Sequence, residues 1–163
     1  MNPYYILIVD DEREVLDSVH QDLSSLSGKF DLELAENATE AAEVIQQAKD
    51  QGRTLILILC DHVMPGIKGV DFLVNLQKQA DTKAAKKMLI TGQAGLQATI
   101  QAVNEAGLDY YVAKPWNPDA LRAAVIKQLT DFILQYDENP VDYVAVLDKA
   151  RIFEAIHEGG SAP

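Results

Sequence analysis

Asp10 and Asp11 stand directly after the apolar run "YYILIV", Asp61 directly after "LILILC", and Lys114 directly after "YYVA", while Thr91 ends "KMLIT". A lone aspartate in such a place is most often a turn former or the N-cap of the next helix. Three carboxylates at one place are a different matter. They repel one another and are stable together only when partly protonated or neutralised by a cation. With oxygen ligands and no His or Cys read as part of that edge, the donor set favours a hard divalent ion such as Mg²⁺ over Zn²⁺. An aspartate sharing that ion with a phosphate donor can attack phosphorus, with Lys114 supplying a positive point charge and Thr91 a hydroxyl to the phosphoryl oxygens.

That chemistry requires the residues to be brought together. The apolar runs 4–9, 30–35, 55–60, 87–91 and 110–113 alternate with helical patterns at Glu12 to Leu26, Ala38 to Lys49, Val70 to Gln79 and Leu96 to Ala106. In the first of these, Val15, Val19, Leu23 and Leu26 form one apolar stripe. A fifth helix begins at "NPDALRAAV", with Asn117 as N-cap and Pro118 at the first helical position. Five βα repeats imply an α/β fold, a doubly wound, five-stranded parallel sheet with helices on both faces. The near-unbroken runs 4–9 and 55–60 suit central strands buried on both sides, and the alternating "FDLELA" suits an edge. In such a sheet the ligand site lies beyond the carboxyl ends of the strands, where the strand order reverses. Asp10, Asp11, Asp61, Thr91 and Lys114 all belong to that edge.

Composition removes several alternatives. The chain has 163 residues, with 14 Lys+Arg against 25 Asp+Glu and a formal charge of −11. That balance argues against direct nucleic-acid binding or an anionic membrane surface. Cys60 is the only cysteine and lies within an apolar run, which excludes an intramolecular disulfide and reads as a buried, inert thiol. There is no apolar stretch of membrane-spanning length and no signal-peptide pattern, so a cytoplasmic protein is expected. A flavodoxin-like cofactor carrier of the same fold class needs a phosphate-cradling glycine loop after the first strand, and "DDERE" would repel a phosphate unless a metal intervened.

The segments "ILIVDDE" (6–12), "LCDHVMPGIKG" (59–69), "LITG" (89–92) and "YYVAKPW" (110–116) resemble the receiver domain of two-component response regulators, over about residues 3 to 134. The resemblance implies the flavodoxin-like strand order 2-1-3-4-5. It implies that Asp61 accepts a phosphoryl group from a histidine kinase or phosphotransfer protein. Asp11 and Asp61 would bind Mg²⁺ directly, Asp10 through water, and the backbone carbonyl of Val63 would complete the protein ligands, with Mn²⁺ able to substitute. Thr91 becomes the switch hydroxyl, Lys114 its partner at the phosphoryl group, Tyr111 the switch aromatic, and Lys114-Pro115 the place of a cis peptide. Such a protein assists its own phosphorylation and dephosphorylation and turns over no independent substrate. Its phosphoryl lifetime is expected to depend on Gln93 more than on the apolar Val63. The sequence departs from the family pattern at Lys68, where an acid is common, and at Trp116, where Phe is usual.

Phosphorylation would bias the loop after strand four and the surface of helix four, strand five and helix five, which is then read by a partner or a second copy. The alternative function is a constitutive pseudo-receiver that is never phosphorylated. Residues 1–136 form the receiver unit in this reading, and 137–163 a C-terminal helical extension with a disordered "GGSAP" end. From Val141 to about Glu158 a helical stripe of Tyr143, Val146, Leu147, Ala150, Phe153 and Ile156 is expected. It suits the start of an output region, an interface for a dimer or partner, or a helix folded back onto the domain.

Overall fold

The computed structural model describes residues 1–92 and 95–161. The two runs of nearly continuous apolar sequence become neighbouring inner strands, β1 (Tyr4–Val9) and β3 (Thr54–Cys60). β2 (Asp31–Ala35) forms one edge, as its alternating sequence suggests, followed by β4 (Lys86–Thr91) and β5 (Tyr110–Ala113) on the other side. All pairings are parallel, in the order β2-β1-β3-β4-β5. The chain moves outward from β1 to β2 and then crosses to β3, so the order reverses between β1 and β3. Because Val9 pairs with Cys60, the residues that follow, Asp10 and Asp61, emerge side by side at that reversal point.

Side-chain alternation divides the core between the two faces of the sheet. Ile6, Ile8, Leu59, Met88 and Ile90 belong to one core with α1 (Arg13–Asp22) and α5 (Pro118–Tyr136). Tyr5, Leu7, Val9, Ile58, Cys60 and Leu89 belong to the other, with α2 (Ala38–Asp50), α3 (Gly69–Gln77) and α4 (Leu96–Glu105). A bulge at Ile56, where Tyr5 pairs with Leu55 but Ile6 with Leu57, puts the consecutive residues Ile56 and Leu57 into the same core. Asn37 and Asn117 cap α2 and α5 by accepting the amides of Glu40 (2.8 Å) and Ala120 (3.0 Å).

Two helical expectations change in the structure. α1 stops at Asp22, and Leu26 reaches the core through a 3-10 turn at Ser24–Leu26. The serines there compete for backbone groups, with Ser27 Oγ donating to the Ser24 carbonyl at 2.7 Å. The pattern from Val141 to Glu158 is not one helix but a 3-10 turn, Pro140–Tyr143, and then α6 (Lys149–Ser161). The break is set by Asp148. Its amide donates to Thr130 Oγ1 on α5 (3.2 Å) and its carboxylate accepts the Arg151 amide (3.2 Å), which starts a new helix. The phase of the stripe shifts accordingly: Tyr143, Leu147 and Ile152 are buried, while Phe153 and Ile156 are exposed.

The segment after α5 folds back beneath the amino ends of the strands. Tyr143 stacks on Phe30 with centroids 5.3 Å apart and lies 6.0 Å from the Tyr4 ring. Tyr4 Oη donates to Asp137 at 2.7 Å, and Arg151 pairs with Asp131 at 2.7 Å. This is the end of the sheet opposite Asp10 and Asp61. Of the end expected to be disordered, residues 159–161 continue α6, and Ala162 and Pro163 lie outside the described residues.

Candidate functional site

Each acidic residue is held by the strand it terminates. The Asp10 amide donates to the Ala35 carbonyl at 3.1 Å and the Asp61 amide to the Val9 carbonyl at 2.9 Å, which extends the ladder by one residue on both sides of the reversal point. Asp10 and Asp61 are buried, whereas Asp11 is exposed. A rigid base with a protected tip follows from a carboxylate placed on the last rung of an inner strand. Lys114 directly follows β5 and precedes Pro115 in a cis peptide bond. Its Nζ is 2.7 Å from Asp10 Oδ2 and 3.6 Å from Asp61 Oδ2. Asp11, Glu12, Asp61, Val63, Thr91, Gly92 and Lys114 line one cleft of about 320 Å³. The Val63 side chain is half exposed at its rim.

Burial raises the pKa of Asp10, opposed by hydrogen bonds from Lys114 and from the Glu12 amide (2.9 Å). Burial draws the Lys114 pKa down, but its hydrogen bond to Asp10 and the charges of Asp10, Asp61 and Glu12 outweigh this, and the net shift is upward. Lys114 therefore stays charged and acts as the internal counter-ion of the cluster.

The donor set fits a hard divalent cation. One carboxylate oxygen from each of Asp10, Asp11 and Asp61 lies within 4.8 Å of the other two. Ionised, the three carry three negative charges against the single ammonium of Lys114, so two remain uncompensated. Oxygen ligands with that charge match Mg²⁺ far better than a thiophilic metal. Such an acidic cluster is typical of the metal site in receiver domains.

Tyr111 stands apart from the cleft on β5, packed at the side of the α2–α3–α4 core, with its hydroxyl donating to the Thr91 carbonyl at 3.1 Å. Trp116 does not reach the cleft either, since its indole Nε1 donates to Asp22 on α1 at 2.8 Å. Gln93 lies outside the described residues. Two neighbours of the site were not singled out by sequence reasoning. Glu12 lines the cleft, and the acidic run "DDE" carried that signal. His62 follows Asp61 but does not line the cleft, and its ring is buried against the start of α3. Burial, the largest cause, and then the Lys68 charge lower its pKa, partly opposed by Asp61 and Asp71. No local pattern marks a tertiary contact of that kind.

Comparison with known proteins agrees with this geometry. Residues 6–126 match the response regulator receiver domain family. The chain is 34% identical over 123 residues to response regulator Rre1 of Synechocystis sp., covering 76% of this chain and 50% of that protein. It is 31% identical over 117 residues to chemotaxis protein CheY1 of Helicobacter pylori, covering 72% of this chain and 90% of that one. Among solved structures, a CheY-like response regulator receiver domain protein from Methanospirillum hungatei superposes with a TM-score of 0.67 at 31% identity, covering 81% of this chain and 97% of that chain. The chain thus spans half the length of Rre1, and about a quarter to a half of the length of several transcriptional regulators it also matches. With a reversal point that carries the acidic trio and a family match that spans residues 6–126, this chain belongs to the response regulator receiver domain family.

Proposed function

We propose that Asp61 accepts a phosphoryl group from a histidine kinase or phosphotransfer protein. The observation that carries this reading is the convergence of Asp10, Asp11, Asp61 and Lys114 at one sheet edge, with a cleft opening over Asp61. An Asp61 carboxylate oxygen forms the new O–P bond as the P–N bond of the donor phosphohistidine breaks, and the electron pair of that bond returns to the imidazole. Asp10, Asp11 and Asp61, with the backbone carbonyl of Val63, would hold Mg²⁺, or Mn²⁺ in its place. A bound divalent ion offsets the repulsion between carboxylate and phosphoryl oxygens. Lys114 Nζ, 3.6 Å from Asp61, is placed to follow the charge onto the phosphoryl group. Thr91, at the end of β4 and lining the same cleft, supplies a hydroxyl.

The added charge, about −1.5 to −2 at neutral pH, biases Thr91 and Lys114 toward Asp61. Tyr111, hydrogen-bonded to the Thr91 carbonyl, carries that change to the surface of α4, β5 and α5. Leu96, Ile100, Val103 and Tyr110 are exposed on α4 and β5, which suits docking of a partner or of a second copy. Residues 1–136 act as the receiver unit and 137–163 as its C-terminal extension, in which Tyr143 packs at the end of the sheet opposite Asp61. No helix among the described residues is long and apolar enough to cross a membrane, and the acidic surface suits a cytoplasmic signalling role without direct nucleic-acid contact.

The test is intact mass and Phos-tag electrophoresis after incubation with phosphoramidate, with and without Mg²⁺. The wild type gains one phosphoryl group only with Mg²⁺, and Asp61→Ala gains none. A wild type that gains nothing and binds no Mg²⁺ is instead a constitutive pseudo-receiver.

A further inference from the structure

The start of α3 lacks the side chain that ordinarily closes a helix. An N-cap residue accepts the amide of the second or third helical residue with a side-chain oxygen, but the N-cap of α3 is Lys68, which carries no acceptor and makes no capping hydrogen bond. Two of the orphan donors are met instead by a residue six positions upstream. The Gly69 amide donates to the His62 carbonyl at 2.9 Å, and the Val70 amide donates to His62 Nδ1 at 3.4 Å. One residue thus caps the first two amides of α3 with its backbone and its ring. His62 is also covalently next to Asp61, whose carboxylate accepts the His62 amide at 2.9 Å.

The two elements are in hard contact at this point. A Cβ on Gly69 would collide with the Asp61 carbonyl oxygen and crowd the Asp61 carbonyl carbon and the His62 Cα. The first turn of α3 is therefore pressed against the backbone of Asp61 itself. His62 is buried, so little room remains for its ring to take another position.

We propose that His62 is a positioning residue: its ring, standing in for the absent N-cap side chain, clamps α3 onto the end of β3 and fixes the backbone from which Asp61 presents its carboxylate. This inference rests on Asp61 being the phosphoacceptor. The role needs only an acceptor at the place of Nδ1, which the Oδ1 of an asparagine can occupy and a leucine cannot supply. A one-residue clamp adjoining a nucleophile acts on rate because misplacement by about 1 Å can cost roughly a hundredfold.

The experiment compares wild type, His62→Leu and His62→Asn in Mg²⁺-dependent phosphorylation by phosphoramidate, followed by intact mass, with urea denaturation as the control for folding. His62→Leu is expected to slow phosphorylation by about tenfold while remaining folded at the assay condition, within the range set by misplacement of about 1 Å. His62→Asn restores the rate to within about twofold of wild type, a rescue that a purely space-filling role would not produce. In a parallel hydrogen-exchange measurement the Val70 amide loses protection in His62→Leu and regains it in His62→Asn. The clamp is refuted by a His62→Leu protein that phosphorylates at the wild-type rate. A His62→Asn protein as slow as His62→Leu also refutes it, since ring packing would then be what matters. A wild type that takes no phosphoryl group defeats the receiver reading and this inference together, whereas the other two outcomes leave the receiver reading intact.

Discussion

Lys114 Nζ lies 2.7 Å from Asp10 Oδ2 and 3.6 Å from Asp61 Oδ2, so the one ammonium in the cleft is shared unequally and its closer partner is the fully buried Asp10. In the proposed phosphorylation the lysine does two jobs at different times. It neutralises the acidic cluster, and it is within reach of whatever charge arrives on Asp61.

Removing that ammonium exposes the first job. Lys114→Met leaves Asp10 and Asp61 buried without their cation, and breaking a buried pair by deleting one partner costs about 3 kcal/mol or more. Urea denaturation without Mg²⁺ should show that loss. Saturating Mg²⁺ should recover most of it, because a site without the competing Lys114 ammonium binds the cation more tightly than wild type and gains more by mass action. If Mg²⁺ stabilises neither protein, Asp10, Asp11 and Asp61 do not hold the ion.

Tyr111→Phe removes the hydroxyl that donates to the Thr91 carbonyl. The loss of one ordinary hydrogen bond predicts a stability decrease of about 1 kcal/mol. The phosphorylation rate should stay close to wild type, because Tyr111 does not line the cleft. The property that should change is the response of the α4–β5 surface to phosphorylation, read as the change in hydrogen exchange of α4 between the unphosphorylated and phosphorylated protein.

The extension after α5 predicts a separation of stability from chemistry. Tyr143 is buried against Phe30 and Tyr4 at the end of the sheet remote from Asp61. Tyr143→Ala is therefore expected to cost about 3 kcal/mol in urea denaturation, as large aromatic truncations in cores do. Its phosphorylation rate should match the wild type. A chain ending at Tyr136 should behave in the same direction, folded but less stable, with Tyr4, Phe30 and Phe132 newly exposed.

Lys87 gives a pH signature. Its side chain is buried at the start of β4, with Nζ donating to the carbonyls of Ala85 (2.8 Å) and Lys83 (3.1 Å), and burial lowers its pKa to about 8. The unfolded value is about 10.4. Between these values the unfolded chain binds more protons than the native one, so the Lys87 contribution to stability rises with pH. Cys60, whose thiol is pushed up by burial, acts with the opposite sign above about pH 8.5, its unfolded value, so wild type must be compared with Lys87→Met. The stability difference, wild type minus variant, should move in favour of wild type by on the order of 2 kcal/mol between pH 7.5 and 9.5. A difference independent of pH would show that the Lys87 ammonium titrates normally.

Much of this molecule could be read in one dimension because its site is assembled by the ends of strands. The apolar runs 4–9 and 55–60 announce inner strands, and inner parallel strands of a doubly wound sheet place Asp10 and Asp61 together whatever the details of packing. Asn117-Pro118 announces the start of α5 for equally local reasons. What escaped depends on contacts between distant residues. Nothing near Val146 or Asp148 foretells that Thr130 would take the Asp148 amide, break the helical pattern and bury Ile152 in place of Phe153. Likewise the part played by His62 follows from Lys68 lacking an acceptor, which shows only when the start of α3 is seen against the end of β3.

An acyl phosphate on Asp61 can be caught by chemical trapping. Protein treated with phosphoramidate and Mg²⁺ is reduced with borohydride, which converts an acyl phosphate to the alcohol, and the digested peptides are sequenced by mass spectrometry. The expected result is homoserine at position 61, dependent on Mg²⁺, with Asp10 and Asp11 recovered unchanged. Aspartate recovered at position 61 from protein that has gained a phosphoryl group, with the modification on another residue, would contradict it.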